Sequence, residues 1–235
     1  MRVLIIGGAG RVGSMTAPYL KGEHSLTIFD RQPAADSSLP SIQGDICDYA
    51  ALAQAVSGQQ ALIYMAMGSE DWDSLTGIHS AYDINVKGLH LALHAAQAAG
   101  IKQAVYTSSM SIYADLDGRA FTDEHVAPDA HELYGFTKYL GEQVCQNAAR
   151  NWDMHINALR LCFPTPDARL TAIKPEQRRL ATAASDVAAA LAAALRFQGR
   201  FQTFMIGGDA RHTVLNMHKA RLLLGWMPKA TKGSS

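Results

Sequence analysis

The chain opens on Arg2-Val3-Leu4-Ile5-Ile6 and runs at once into Gly7-Gly8-Ala9-Gly10-Arg11-Val12-Gly13. A short apolar run without polar alternation, ended by glycine, reads as a parallel strand buried on both faces. Such a strand needs helices above and below it, so this opening already points to an α/β layer architecture. The rest of the chain keeps the alternation. Strands are expected over residues 25–29, 61–65, 103–107, 155–161 and 203–206, with another just ahead of Asp45. Helices are expected over residues 12–21, 48–56, 77–99, 134–150, 181–195 and 217–224. Asp48 is a candidate N-cap, and Gly100 and Gly225 are natural C-terminal stops. Residues 31–39, polar and holding Pro33, read as loop. This order predicts a doubly wound parallel sheet.

Beyond that point the texture changes, with Pro164, Pro166 and Pro175 interrupting regular structure. The expected organisation is residues 1–164, binding a nucleotide and carrying the chemistry, and residues 165–235, a small C-terminal substrate lobe. The lobe is expected to pack on the first part through a returning helix and strand rather than to stand as an independent domain. Lys+Arg and Asp+Glu both total 21, so no global charge favours nucleic acid or an anionic membrane surface. No stretch approaches the ~20 apolar residues of a membrane helix. Cys47, Cys145 and Cys162 show no paired metal-ligand spacing and read as reduced thiols of a cytoplasmic protein. The first strand is expected to begin at residue 2, so no signal peptide is expected.

The glycine run has a chemical reading. A helix N-terminus presents unpaired N–H groups and a partial positive charge, which suit a pyrophosphate. Side chains at Gly7, Gly10 and Gly13 would obstruct the turn, the phosphate approach and the helix–strand packing, with Arg11 and Val12 opening the helix. The plain alternative is a glycine-rich turn without a ligand. Asp30, at the end of the second strand, speaks for the ligand. Its carboxylate can accept both ribose hydroxyls of an adenosine while repelling a 2′-phosphate. A Rossmann-like site for NAD, with NADP second, is therefore expected. Arg31 and Arg11 pull the other way, because a guanidinium can hold a 2′-phosphate. Asp45 and Ile46 either edge the adenine or simply begin a helix.

A second constellation lies downstream. Tyr134 and Lys138 are one helical turn apart and share a face, behind the strand that ends in Ser108-Ser109. A free phenol, with a pKa near 10, is a poor base at neutral pH. The charge of Lys138, with a nicotinamide ring, would favour the phenolate. Tyr134 could then take a proton from a carbinol or give one to a carbonyl. Ser109 could hold the same oxygen, with Ser108 beside it and Ser111 alternating onto its strand face. The plain alternative for all three serines is a polar strand end.

These pieces resemble the extended short-chain dehydrogenase/reductase family, the NAD-dependent epimerase/dehydratase group. The matching runs are Gly7 to Gly13, Gly44-Asp45-Ile46, Asn85-Val86-Lys87-Gly88, Val105 to Ser109 with Tyr113, and Tyr134-Gly135-Phe136-Thr137-Lys138. Leu159-Arg160 ahead of Pro164, Ser185-Asp186-Val187 and Leu224-Gly225-Trp226 continue the order over nearly the whole chain. The resemblance implies that Ser109, Tyr134 and Lys138 are catalytic and that Asn85 braces their helix. It implies that Met65, Ala66 and Met67 line the cofactor and that Pro164 lies near its nicotinamide. Phe163 departs from the family, which often has Asn there. About 70 residues follow Pro164, too few to suggest the long region that holds nucleotide sugars. Among short members the chain is similar to uronate dehydrogenases, through Thr165-Pro166-Asp167 and Arg169. That subgroup would make Arg169 a carboxylate clamp, a role suited to its fork of donors.

His90 and His94 stand at i, i+4 spacing with no third ligand evident, so no metal is expected. Arg178 and Arg179 could attract an anionic substrate but read more simply as a solvated pair. The expected function is NAD-dependent hydride transfer on a hydroxyl or carbonyl of a small sugar or sugar acid. A nucleotide-sugar epimerase or dehydratase and a non-catalytic dinucleotide sensor of the same fold are the alternatives. A homodimer is expected, through the helix over 77–99 and the Tyr134 helix, with Leu89, Leu93, Leu140 and Val144 on the seam.

Overall fold

Four strands at the centre are buried along almost their whole length, and each is covered on both faces. They are β1 (Arg2–Ile6), β4 (Ala61–Tyr64), β5 (Gln103–Ser109) and β6 (His155–Leu161). With β2 (Ser25–Asp30), β3 (Ser41–Gln43) and β9 (Phe201–Ile206) they form one seven-stranded sheet, in the order β3-β2-β1-β4-β5-β6-β9. Every pair in it is parallel. The structure is a computed structural model and describes residues 1–116, 118–173 and 180–230. Arg178, Arg179, Pro175 and the tail from Lys232 lie outside the described residues.

Alternate residues of each strand feed opposite cores, as the strand's period of two requires. Val3, Ile5, Ile28, Ile63 and Val105 face one cluster, and Leu4, Ile6, Phe29, Leu62 and Tyr106 face the other. Helices α1 (Arg11–Leu20) and α6 (Ala184–Arg196) cover the first side. Helices α2 (Tyr49–Ala55), α4 (Leu89–Ala98) and α5 (Leu133–Asn151) cover the second. Asp48 caps α2, accepting the N–H groups of Ala50 and Ala51.

The single helix expected over 77–99 is a continuous run with a change of pitch inside it. Helix α3 (Leu75–Tyr82) passes into a π-helical turn, Asp83–Gly88, and then into α4. The wider turn coincides with Asn85, which is fully buried and bonded across to other elements. Such turns appear mostly as single-turn bulges inside α-helices, often at functional sites. Leu89 and Leu93, expected on an outward seam, are 0% and 1% exposed and pack in the monomer core.

Strand β5 reaches Ser109, two residues further than expected, and then turns into a 3₁₀ segment, Met110–Ile112. After β6 come β7 (Pro164–Thr165), a 3₁₀ segment over Asp167–Ala172, and β8 (Thr182–Ala183), which pairs with β7. That pairing is why α6 starts at Ala184 rather than at 181. Strand β9 then adds to β6 at the sheet edge, so residues after Pro164 complete the main sheet.

Candidate active site

The strand order reverses between β1 and β4, both central, and an open α/β sheet leaves its crevice at such a switch point. A cleft of about 680 Å³ lies there. Gly7 begins the turn after β1 with φ of +80°, and a Cβ on it would overlap the Ala66 backbone. The two loops leaving β1 and β4 are thus packed backbone to backbone. Gly10 caps α1 with no side-chain bond, and Gly10, Arg11 and Val12 line the cleft, so the helix presents its unpaired N–H groups there. Gly13 is buried behind the turn against Gly8.

Asp30 and Arg31 line the same end. The Asp30 carboxylate is held by the N–H groups of Ala9 (3.0 Å) and Gln32 (3.1 Å), which fix it at the β2 terminus. Ile46, Met65, Ala66, Met67 and Pro164 complete the walls. Asp45 is not among the lining residues; it is exposed and accepts the Cys47 N–H at 2.8 Å, capping its own turn.

At the other end, β5 and α5 bring Ser109, Tyr134 and Lys138 together in the cleft wall. Ser109 is 7% exposed, and its Oγ accepts the Ser111 N–H at 3.0 Å. Its hydroxyl proton is then available to the Tyr134 oxygen. Burial pushes the Tyr134 phenol up; the Ser109 hydrogen bond opposes this, Glu70 adds to it, and Arg11 opposes it. Lys138 is 3% exposed, and burial lowers its pKa to about 8. Its ammonium donates to the Thr107 carbonyl at 2.9 Å and stands 5.9 Å from the Tyr134 ring centre. Ser109 and Arg11 thus favour the Tyr134 phenolate against burial and Glu70, and Lys138 ties α5 to β5.

Asn85 lies behind the wall. It donates to Thr137 Oγ1 at 2.9 Å and accepts the Gly68 N–H at 3.0 Å, joining the π-turn to α5 and to the loop after β4. Ser108 lines the cleft, but its hydroxyl is committed to Glu142 Oε1 at 2.6 Å. Ser111 lines it from the 3₁₀ segment, not by strand alternation, because the strand has already ended. Arg169 is exposed on the 3₁₀ segment after Pro166 and does not line the cleft. His94 Nδ1 bonds the Tyr49 hydroxyl at 2.8 Å, and His90 and His94 both pack edge-on to Trp152.

Several lining residues are not evident in the sequence. Glu70 and Trp72 enter on the loop after β4, and the Trp72 ring centre is 5.4 Å from that of Tyr134. Phe163 enters after β6 at φ +40°, 56% exposed, a conformation costing a non-glycine residue about 1–3 kcal/mol. Below the cleft, Arg160 donates two buried hydrogen bonds to the Glu142 carboxylate, at 2.9 and 2.8 Å, and a third to the Tyr113 hydroxyl at 2.7 Å. A visible trace of that pair exists. Glu142 follows Lys138 by one turn, and Arg160 is the one arginine in a strand that is otherwise mostly apolar after Asn157.

A glycine-turn nucleotide cleft that also holds a Ser-Tyr-Lys set defines the short-chain dehydrogenase/reductase class. Residues 3–165 match the NAD-dependent epimerase/dehydratase family, and the chain belongs to it. A 3β-hydroxysteroid dehydrogenase/Δ5→4-isomerase of Mycobacterium tuberculosis is 34% identical over 154 residues, 60% of this chain and 41% of that protein. The L-arabinose 1-dehydrogenase (NAD(P)⁺) of Haloferax volcanii is 26% identical, over 68% of this chain and 66% of that one. The chain thus spans well under half the length of the mycobacterial relative. MoeE5 in complex with UDP-glucuronic acid and NAD shares the fold at TM-score 0.81 and 20% identity, over 97% of this chain and 94% of that one. A mutated uronate dehydrogenase does so at TM-score 0.79 and 22% identity, over 97% and 81%.

Proposed function

We propose that the protein is an NAD-dependent oxidoreductase acting on a hydroxyl or carbonyl of a small sugar or sugar acid. The observation that carries this reading is the convergence of Ser109, Tyr134 and Lys138 on the cleft that the Gly7 turn and Asp30 close at its other end. The cleft fits a dinucleotide. The N–H groups at the start of α1 would hold its pyrophosphate, with no side chain at Gly10 to obstruct the approach. Asp30 would accept the ribose hydroxyls, which favours NAD over NADP. Ile46, Met65, Ala66, Met67 and Pro164 would bound its rings, with Lys138 beside it. When bound, the cofactor supplies the hydride acceptor or donor.

The chain's own residues handle the proton. Ser109 donates a hydrogen bond to the reacting oxygen and orients it. Tyr134 removes the proton from a carbinol, or returns it to a carbonyl, at its phenol oxygen. Lys138 holds the α5 turn against β5 and places a cation under the Tyr134 ring. Asn85 fixes the same helix through Thr137.

A second reading has its own support. A UDP-glucose 4-epimerase of Rhizobium leguminosarum is 33% identical over 148 residues, so an epimerase that reoxidises its cofactor within one turnover fits the same site. Purified protein with NAD, screened at NADH absorbance against aldoses, sugar acids and UDP-sugars, separates the two. Net NADH from an aldose or sugar acid is expected. A UDP-sugar converted to its epimer without net NADH would replace the dehydrogenase reading with the epimerase one. Titration with NAD and NADP tests the Asp30 reading, which equal or tighter NADP binding would overturn.

The assembly proposed is a homodimer through α3 and α5. These helices are in contact, and Leu75, Tyr82 and Phe136 stand exposed on them at 77%, 40% and 40%. A reducing cytoplasmic setting is proposed from the free thiols of Cys47 and Cys145. No described helix is long and apolar enough to cross a membrane.

A further inference from the structure

We propose that the substrate half of the cleft is built for a neutral polyhydroxylated sugar, an aldose rather than a sugar acid, held between Trp72 and Phe163, with Glu70 selecting against negative charge. The inference rests on the oxidoreductase reading, which places the reacting carbon beside Tyr134.

The sheet order sets the loop after β4 and the loop after β6 on either side of the end of β5. Trp72 stands in the first and Phe163 in the second, and both line the cleft. A ring lying over Ser109 therefore has an aromatic side chain to each flank. The negative face of an aromatic ring attracts the C–H edges of a sugar and gives a carboxylate nothing. Holding Phe163 at φ +40° exposes its ring at the mouth of the cleft.

Among the described residues, Glu70 brings a carboxylate to this wall of the cleft. Glu70 raises the proton affinity of Tyr134 and Arg11 lowers it. The Lys138 ammonium donates to the Thr107 carbonyl, and the residue is only 3% exposed. Arg31 lies at the glycine-turn end next to Asp30, and Arg169 is off the wall. Sugar hydroxyls can donate to the Glu70 carboxylate, whereas a second carboxylate there meets a like charge.

The loop carrying these residues is fixed in advance. Ser69 N–H donates to Ser80 Oγ (3.0 Å), Asp71 N–H to Ser69 Oγ (3.1 Å) and Ser74 N–H to Asp71 Oδ1 (3.3 Å). A Cβ at Gly77 would overlap the Asp71 carbonyl, so glycine there lets α3 close on the loop. A loop ordered before binding loses less freedom on binding.

The test follows tryptophan fluorescence of the protein saturated with NAD during titration with galactose, arabinose, xylose or galacturonate. At least one aldose should change the emission saturably, and galacturonate should need at least about tenfold more, equivalent to ~1.4 kcal/mol. Trp72→Phe should abolish the change, and Glu70→Lys should reverse the order of aldose and acid. NAD binding retained by both variants certifies their fold. Tighter binding of galacturonate than of every aldose overturns the proposal. So does the lack of a saturable change with any aldose, or an order unmoved by Glu70→Lys. NADH absorbance is read alongside as a separate result. Aldose binding without turnover sinks the oxidoreductase reading and leaves the substrate class standing. Preferred oxidation of galacturonate does the reverse.

Discussion

Tyr134→Phe removes one oxygen and keeps the ring, so its packing against Trp72 survives while the proton carrier is lost. Turnover should fall by about 10²-fold or more, the scale of a lost general acid/base, with NAD binding nearly unchanged. Near-normal turnover on a confirmed substrate would remove Tyr134 from the chemistry. Lys138 makes a different prediction, on stability. Burial lowers its pKa from the ordinary 10.5 to about 8. The folded state therefore bears the cost of a buried charge below pH 8. That cost is relieved as pH rises from 8 towards 10.5, above which folded and unfolded chains are both neutral there. Lys138→Met forfeits the bond to Thr107 but escapes the charge. It should raise stability by about 1–2 kcal/mol at pH 7, with the gain gone near pH 10.5. Thermal unfolding of both proteins at the two pH values checks this. A less stable methionine variant at pH 7 would mean that the fold stabilises the ammonium.

Among elements, the π-turn has the largest structural reach. Asn85→Ala leaves the Gly68 N–H without its acceptor and Thr137 without a donor, both buried. A loss of about 1–3 kcal/mol in denaturant unfolding is expected, and a change below 0.5 kcal/mol would show that other groups take over those bonds. The strands, the glycine turn and the Tyr134-Lys138 pair are legible in the sequence because each is local, written in one short run of residues. The π-turn is not, since it depends on partners 17 and 52 residues away. Leu89 and Leu93 form a genuine apolar stripe, but periodicity does not say whether a stripe faces the sheet or a partner. The pairing of Glu142 with Arg160, and the entry of Glu70 and Trp72 into the cleft, arise where separate elements meet. Arg169 fails for a related reason. The 3₁₀ segment after Pro166 turns its side chain to solvent, whatever its spacing from Pro164.

For the molecule as a whole, the exposed apolar residues of α3 and α5 argue for a twofold contact, which is self-complementary by symmetry. Light scattering should return twice the monomer mass, and Phe136→Glu with Tyr82→Lys should return the monomer. A wild-type monomer mass independent of concentration would remove the dimer. The late return of β9 to the sheet has a consequence for how the chain is made. Strand β6 carries Arg160 and borders β5 under the cleft, yet its other edge is covered only by residues 201–206. During synthesis that edge stays open for some forty residues, a row of unpaired backbone N–H and C=O groups. The cleft's floor is closed only once residues 201–206 have been made, and until then the open edge of β6 is free to pair with a wrong neighbour.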